Sequence, residues 1–229
     1  MRHLLISVMV LVFCAGRAGG QAALPNEVVA TNAATATNSP SPTSETEVEH
    51  PWAFSASVYT YLVPDSREYV QPTLTADYRA LHLEARYNYE NLDTCSLWVG
   101  YNFSVGEKLV LEFKPMVGGV LGNTTGIAPG YRFLLSYWKL ELASEGEYVF
   151  NTRESTDSFF YNWSELSISP LDWLRVGVAI QRTKLYQSEF DIQRGFLAGF
   201  AYKKMSFTAY IFNPDASEPT LVLGVGLEF

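Results

Sequence analysis

Cysteine is nearly missing from this 229-residue sequence: Cys14 and Cys95 are the only two. A disulfide scaffold and a cysteine-rich zinc site are both excluded. Basic charge is also short, with 16 Lys plus Arg against 24 Asp plus Glu and a net charge of -8. A general nucleic-acid binder needs a basic footprint to neutralise phosphates, so no nucleic-acid partner is expected. Long apolar runs are absent too. The longest, Leu4–Gly16, has thirteen residues, whereas a membrane-crossing helix takes roughly 20. What is abundant is aromatic: 14 Tyr, 14 Phe and 5 Trp, enough for one domain with a sizeable core.

The first 23 residues have the three-part layout of a secretory signal peptide. Arg2 and His3 lead, the apolar run follows, and small residues from Ala18 to Ala23 offer a cleavage site after Gly20. Phe13 stands before Cys14, where a lipoprotein signal carries a small residue. Removal takes Arg2, Arg17 and Cys14 but no acid, so the mature charge is 14 minus 24, or -10. Residues 24–50 are rich in Ala, Thr, Asn, Ser and Pro and hold no Phe, Tyr or Trp. They read as a disordered tether.

Residues 51–229 alternate apolar and polar with period two, the signature of strands with two unlike faces. In Thr220–Phe229 the odd positions are Leu221, Leu223, Val225, Leu227 and Phe229. Twelve such runs lie near 52–63, 69–78, 81–90, 95–105, 108–120, 128–137, 139–150, 158–168, 173–185, 190–202, 205–213 and 220–229. Most are ten to thirteen residues long. Strands of soluble domains average about five or six, whereas membrane-spanning strands need about 9 to 11. Length thus favours a membrane barrel over a β-sandwich or lipocalin-like barrel, which shares the alternation. The connections alternate as well. Arg79-Ala80, Val105–Lys108, Trp138-Lys139, Pro170–Asp172 and Lys203-Lys204 are tight, and those between are longer and polar. Tyr78, Tyr89, Phe103, Tyr137, Phe150, Trp173 and Tyr202 stand near run ends, as in an aromatic girdle. The polar face carries Gly100, Gly118, Gly177, Gly224 and Gly226, as a crowded barrel interior requires.

The final strand resembles the terminal signal of bacterial outer-membrane β-barrel proteins. Gly224, Leu227 and Phe229 match that pattern, while Val222 stands where a polar residue is usual. The whole of 51–229 resembles a porin-like outer-membrane barrel of about twelve strands. The implied fold is all-β, a transmembrane antiparallel up-and-down barrel. The implied location is the bacterial outer membrane, reached through the periplasm. The implied partners are outer-membrane lipid, the barrel-assembly machinery through the C-terminal strand, and small solutes.

Charges facing lipid are costly, about 2–4 kcal/mol for Arg or Lys at mid-depth, so the charged positions are expected to face inward. They are Glu84, Arg86, Glu112, Lys114, Arg132, Glu141, Glu145, Glu147, Glu165 and Arg175, with Gln181 beside them. As pore-lining residues, with carboxylates in excess, they point to a narrow cation-preferring channel. Paired across the interior, they would instead close a structural or anchoring barrel. The least favoured alternative is a membrane-embedded lipid-modifying enzyme. After signal removal only His50 and His82 remain as histidines, and no serine stands in a nucleophile-elbow pattern. No catalytic residue, metal or cofactor is expected.

Overall fold

A computed structural model of the chain describes residues 52–64, 67–153, 157–183 and 191–229. The expected signal peptide and tether lie outside them. The strands are β1 (Ala53–Leu62), β2 (Tyr69–Tyr78), β3 (Leu81–Tyr87), β4 (Thr94–Tyr101), β5 (Phe103–Val105), β6 (Leu109–Gly122) and β7 (Gly126–Tyr137). They continue with β8 (Leu140–Asn151), β9 (Phe159–Leu171), β10 (Leu174–Thr183), β11 (Asp191–Tyr202), β12 (Met205–Phe212) and β13 (Thr220–Glu228).

Apart from β4 and β5, which both pair with β6, each strand pairs antiparallel with its neighbours in sequence, and β13 returns to β1 to close the sheet. β4 and β5 are one strand interrupted at Asn102. Gly100 opposes Met116 and Phe103 opposes Phe113 in a single unbroken register on β6. The barrel is therefore twelve-stranded. The N–H of Asn102 instead reaches the carbonyl of Ala80, 2.8 Å away. Both ends of the described barrel lie at the short-turn end, where the Phe229 N–H donates to the Phe54 carbonyl at 3.0 Å.

The alternation sorts side chains as a barrel requires. Outward residues such as Leu97, Leu121, Ile127 and Phe196 are more than half exposed, while inward Trp98, Val120, Ala128 and Leu197 are buried. Aromatics crowd the short-turn end of the outer surface. Phe103, Tyr137, Trp138, Trp173 and Tyr202 are exposed there, and Trp52 packs on Tyr78 with ring centroids 5.1 Å apart. At the other end Phe150 is exposed, with Tyr148 against it.

Tyr89 departs from the expected girdle. β3 ends at Tyr87, not at residue 90, because Asn88 takes a left-handed φ of 58°. That turn reverses the strand's parity and sends Tyr89 and Glu90 into the barrel, where Glu90 is buried.

The outer wall is not purely apolar. On β7, β8 and β9, Tyr131, Ser144, Asn162 and Ser164 occupy outward positions in register. They bond one another: the Asn162 amide donates to the Tyr131 hydroxyl at 3.1 Å and to Ser144 Oγ at 3.2 Å. Ser144 and Ser164 meet at 2.9 Å. Polar groups satisfied in this way avoid the cost of unpaired donors in hydrocarbon.

Inward glycines make room for rings. A Cβ on Gly118 would lie 2.4 Å from the Trp98 ring, and one on Gly224 would lie 2.8 Å from Tyr59, whereas one on outward Gly119 would meet nothing within 4 Å. Gly118→Ala is expected to lower unfolding stability in detergent micelles by about 1–3 kcal/mol through overpacking. Gly119→Ala should stay within about 0.5 kcal/mol of the parent. Urea titrations of the two variants side by side would check the assignment of faces.

Candidate functional site: the barrel interior

The inward charges of β3, β7 and β8 meet across the interior. Arg86 Nε donates to Glu84 Oε1 at 2.6 Å, and its Nη1 donates to Glu147 Oε2 at 2.7 Å. Arg132 Nη2 donates to the same Glu84 oxygen at 2.8 Å, and its Nε pairs with Glu145 Oε2 at 2.9 Å. Tyr89 donates its hydroxyl to Glu145 and packs edge-on against Tyr161 at 5.4 Å. The Arg86 guanidinium lies 4.2 Å from the Tyr89 ring centroid and 4.3 Å from that of Trp98, two cation–π contacts. These contacts form a brace from one wall to the other.

The brace extends toward the short turns through His82, whose ring nitrogens stand 2.8 Å from Asp77 Oδ1 and 3.1 Å from Glu84 Oε2. Lys114 Nζ lies 3.1 Å from His82 Nδ1. None of these neighbours is a nucleophilic hydroxyl. Toward the long loops, Glu90 accepts from Ser96 at 2.5 Å and from the Trp98 indole at 3.2 Å. The space between Arg86, Trp98, Met116 and Glu147 has no room for water. Glu147 Oε1, which borders it, and Glu90 Oε2 find no hydrogen-bond partner among the described residues.

The far wall carries a second, smaller cluster. Glu165 accepts from Arg175, from the Trp163 indole and from the Tyr210 hydroxyl, each at 2.7 Å. Trp163 stands edge-on to Tyr210 and Phe212 at 5.0 and 5.1 Å. Phe159, Tyr161, Phe212, Val149 and Val222 are all buried on the loop side of this cluster. That half of the interior is packed like a core.

Between brace and far wall lies one chamber, with roughly 190 Å³ that water can enter. It is lined from the short-turn side by Ser55, Ser57, Thr75, Ser206 and Thr208 and bounded deeper in by Tyr59, Tyr61, Tyr161 and Tyr210. Of the eleven residues expected from sequence, Arg132, Glu145, Glu165 and Arg175 line this chamber. Glu84, Arg86 and Glu147 are buried in the brace, Lys114 is buried beside His82, and Gln181 is buried. Glu112 and Glu141 are half-buried, each with one oxygen that lacks a hydrogen-bond partner among the described residues. Sequence reasoning assigned Tyr89 to the outer girdle and did not single out Glu90. Their only signal was Asn88, a residue that tolerates left-handed backbone.

The same fold occurs among solved structures. A KdgM porin superposes with a TM-score of 0.53 at 12% identity, covering 76% of this chain and 99% of the other. A second structure, described as a KdgM porin in complex with disordered oligogalacturonate, gives 0.55 at 12% identity with the same coverage. The outer-membrane protein Omp33 of Acinetobacter baumannii gives 0.46 at 11% identity, covering 78% of this chain and 98% of the other. The chain thus has a porin-type barrel fold. No protein-family model matches the sequence, and no curated protein matches it either.

Removing one member of a buried ion network strands the charges left behind, at about 3–5 kcal/mol. Arg86→Met is expected to show that loss in a denaturant titration in micelles. Arg86→Met combined with Glu84→Gln and Glu147→Gln should recover a large part of it.

Proposed function

We propose that this chain is a bacterial outer-membrane barrel that forms a narrow, cation-preferring passage for small polar solutes, with its short turns in the periplasm. The exposed apolar outer surface with its aromatic rim supports the membrane reading. The observation that carries the solute reading is the chamber entered from the short-turn side, lined by hydroxyls and by the paired charges Arg132, Glu145, Glu165 and Arg175. Such a lining offers donors and acceptors to a hydrated solute without a net attraction for anions.

Cation preference rests on the surplus of inward carboxylates. Asp77, Glu84, Glu90, Glu112, Glu141, Glu145, Glu147 and Glu165 oppose Arg86, Lys114, Arg132 and Arg175. A polyanion such as oligogalacturonate would meet repulsion here, so neutral or cationic small molecules are the better fit. Lipid-modifying chemistry is set aside because His82 is engaged by Asp77 and Glu84 and has no hydroxyl nucleophile among its contacts. Assembly proceeds through the C-terminal strand ending at Phe229.

One observation favours a second reading, a closed structural barrel: the loop-side packing of Tyr161, Trp163, Tyr210 and Phe212. On the channel reading that tier is the constriction and opens by rotamer change. Planar-bilayer recording separates the two. The channel reading expects small discrete steps from the parent chain and larger ones from Trp163→Ala, which removes the ring against Tyr210 and Phe212. Glu112→Lys with Glu141→Lys should move the reversal potential toward anions. A parent and a Trp163→Ala variant that both fold yet stay silent would establish the closed barrel.

A further inference from the structure

We propose that the short-turn end of the barrel carries a ring of binding points for the phosphates of anionic phospholipids in the leaflet that surrounds it. The proposal rests on the membrane reading above.

Three turns at that end repeat one device. Tyr78-Arg79, Trp138-Lys139 and Tyr202-Lys203 each set a basic residue directly after an aromatic one. The cation lies near its neighbour's ring, 5.4, 5.9 and 5.4 Å from the centroid. Each turn also places a large residue in left-handed backbone: φ is 54° at Arg79, 55° at Trp138 and 56° at Lys203. Glycine or asparagine would hold such turns at lower cost. Bulky aromatic and basic side chains kept at unfavourable positions, three times over, mark a role beyond turning the chain.

Charge is sorted by end. The short turns hold Arg79, Lys108, Lys139, Lys203 and Lys204 against Glu107 and Asp172, although the whole chain is acidic at -8. Among the described residues the long connections are acidic, with Glu68, Asp93, Asp157, Asp215 and Glu218 against Arg67 and Arg153.

Depth identifies the partner. Trp138 and Tyr202 are 78% and 66% exposed at the rim of the apolar surface, where aromatic rings sit at headgroup level. Cations held within about 6 Å of those rings share that depth. Lys139 is held along the wall, donating to the Pro170 carbonyl at 2.8 Å, with donors to spare. A phosphodiester at the interface lies within reach, whereas a soluble acidic polymer would have to approach past the headgroups. A net anionic headgroup leaves the phosphate charge uncancelled, which a zwitterionic one does not.

The test refolds the full chain into vesicles of phosphatidylcholine alone and with about one-fifth phosphatidylglycerol. Spin-labelled lipids then report the association of each class with the barrel. The parent should select phosphatidylglycerol by about threefold or more at low salt, and the preference should fall as salt rises. Arg79→Gln, Lys139→Gln and Lys203→Gln together should bring the ratio near one. Arg67→Gln with Arg153→Gln, at the opposite end, should leave it unchanged. If the triple variant folds poorly, Lys139→Gln alone should lower the ratio by a measurable part. No preference in the parent, or a preference that survives the triple change, overturns the proposal. Failure to fold into phosphatidylcholine, read by heat-modifiable gel mobility, would instead sink the membrane reading. Silence in bilayer recordings bears on the channel reading alone.

Discussion

The ladder between Ala53–Leu62 and Thr220–Glu228 is the constraint on which the rest of the molecule depends. In hydrocarbon an unpaired peptide group costs several kcal/mol, so a sheet can cross only if it has no free edge. The pairing from Ser55–Glu228 to Leu62–Leu221 removes that edge. It also fixes which residues look inward. A slip of one residue would invert every face of a strand, placing Glu84 or Arg86 in lipid. The break at Asn102 shows how strictly register is kept, since the pairing resumes on β6 without a shift.

Closure then sets an interior that must be filled or hydrated. Charges driven inward by the outer solvent must find one another, and the brace is the result. Glu84 is shared by Arg86 and Arg132, while Arg86 also serves Glu147. The rings of Tyr89 and Trp98 keep Arg86 away from water, which strengthens each of its ion pairs and raises the cost of losing any one. Gly118 belongs to the same arrangement, because only a residue without a side chain lets Trp98 lie flat on β6.

The twelve strands were legible because two independent signals agree, a period of two and lengths of about ten. The tight turns were legible for the same reason, since they interrupt that period. Tyr89 was not. One left-handed residue, Asn88, switches parity, and nothing in the alternation before it announces the switch. The inward direction of Glu84, Arg132 and Glu147 could be read from the penalty for charge in lipid. Their pairing could not, because Arg86 and Glu147 are 61 residues apart and Glu84 and Arg132 are 48. The outward polar group around Asn162 escaped for a different reason. Uncharged Asn, Ser and Tyr carry too small a penalty to mark a face, and they sit on the lipid side only because they satisfy one another.

The same pairing decides what a twelve-stranded barrel can pass. Strand number sets the distance between walls, but side chains that join opposite walls set the space left over. Here the brace draws β3 to β8 by way of Arg86 and Glu147 and fills that side with Trp98 and Met116. The chamber survives on the side of β1, β2 and β9 to β13, where small inward residues such as Ser57, Gly199, Ser206 and Thr208 leave room. Its polar lining consists of hydroxyls and already-paired charges, set among apolar side chains such as Leu134, Ala143 and Trp163. A solute entering there exchanges water for hydrogen bonds of similar strength, so weak binding and passage are compatible. On the channel reading proposed above, selectivity by size would reside in the aromatic tier around Trp163 and selectivity by charge in the carboxylates that the brace leaves in surplus.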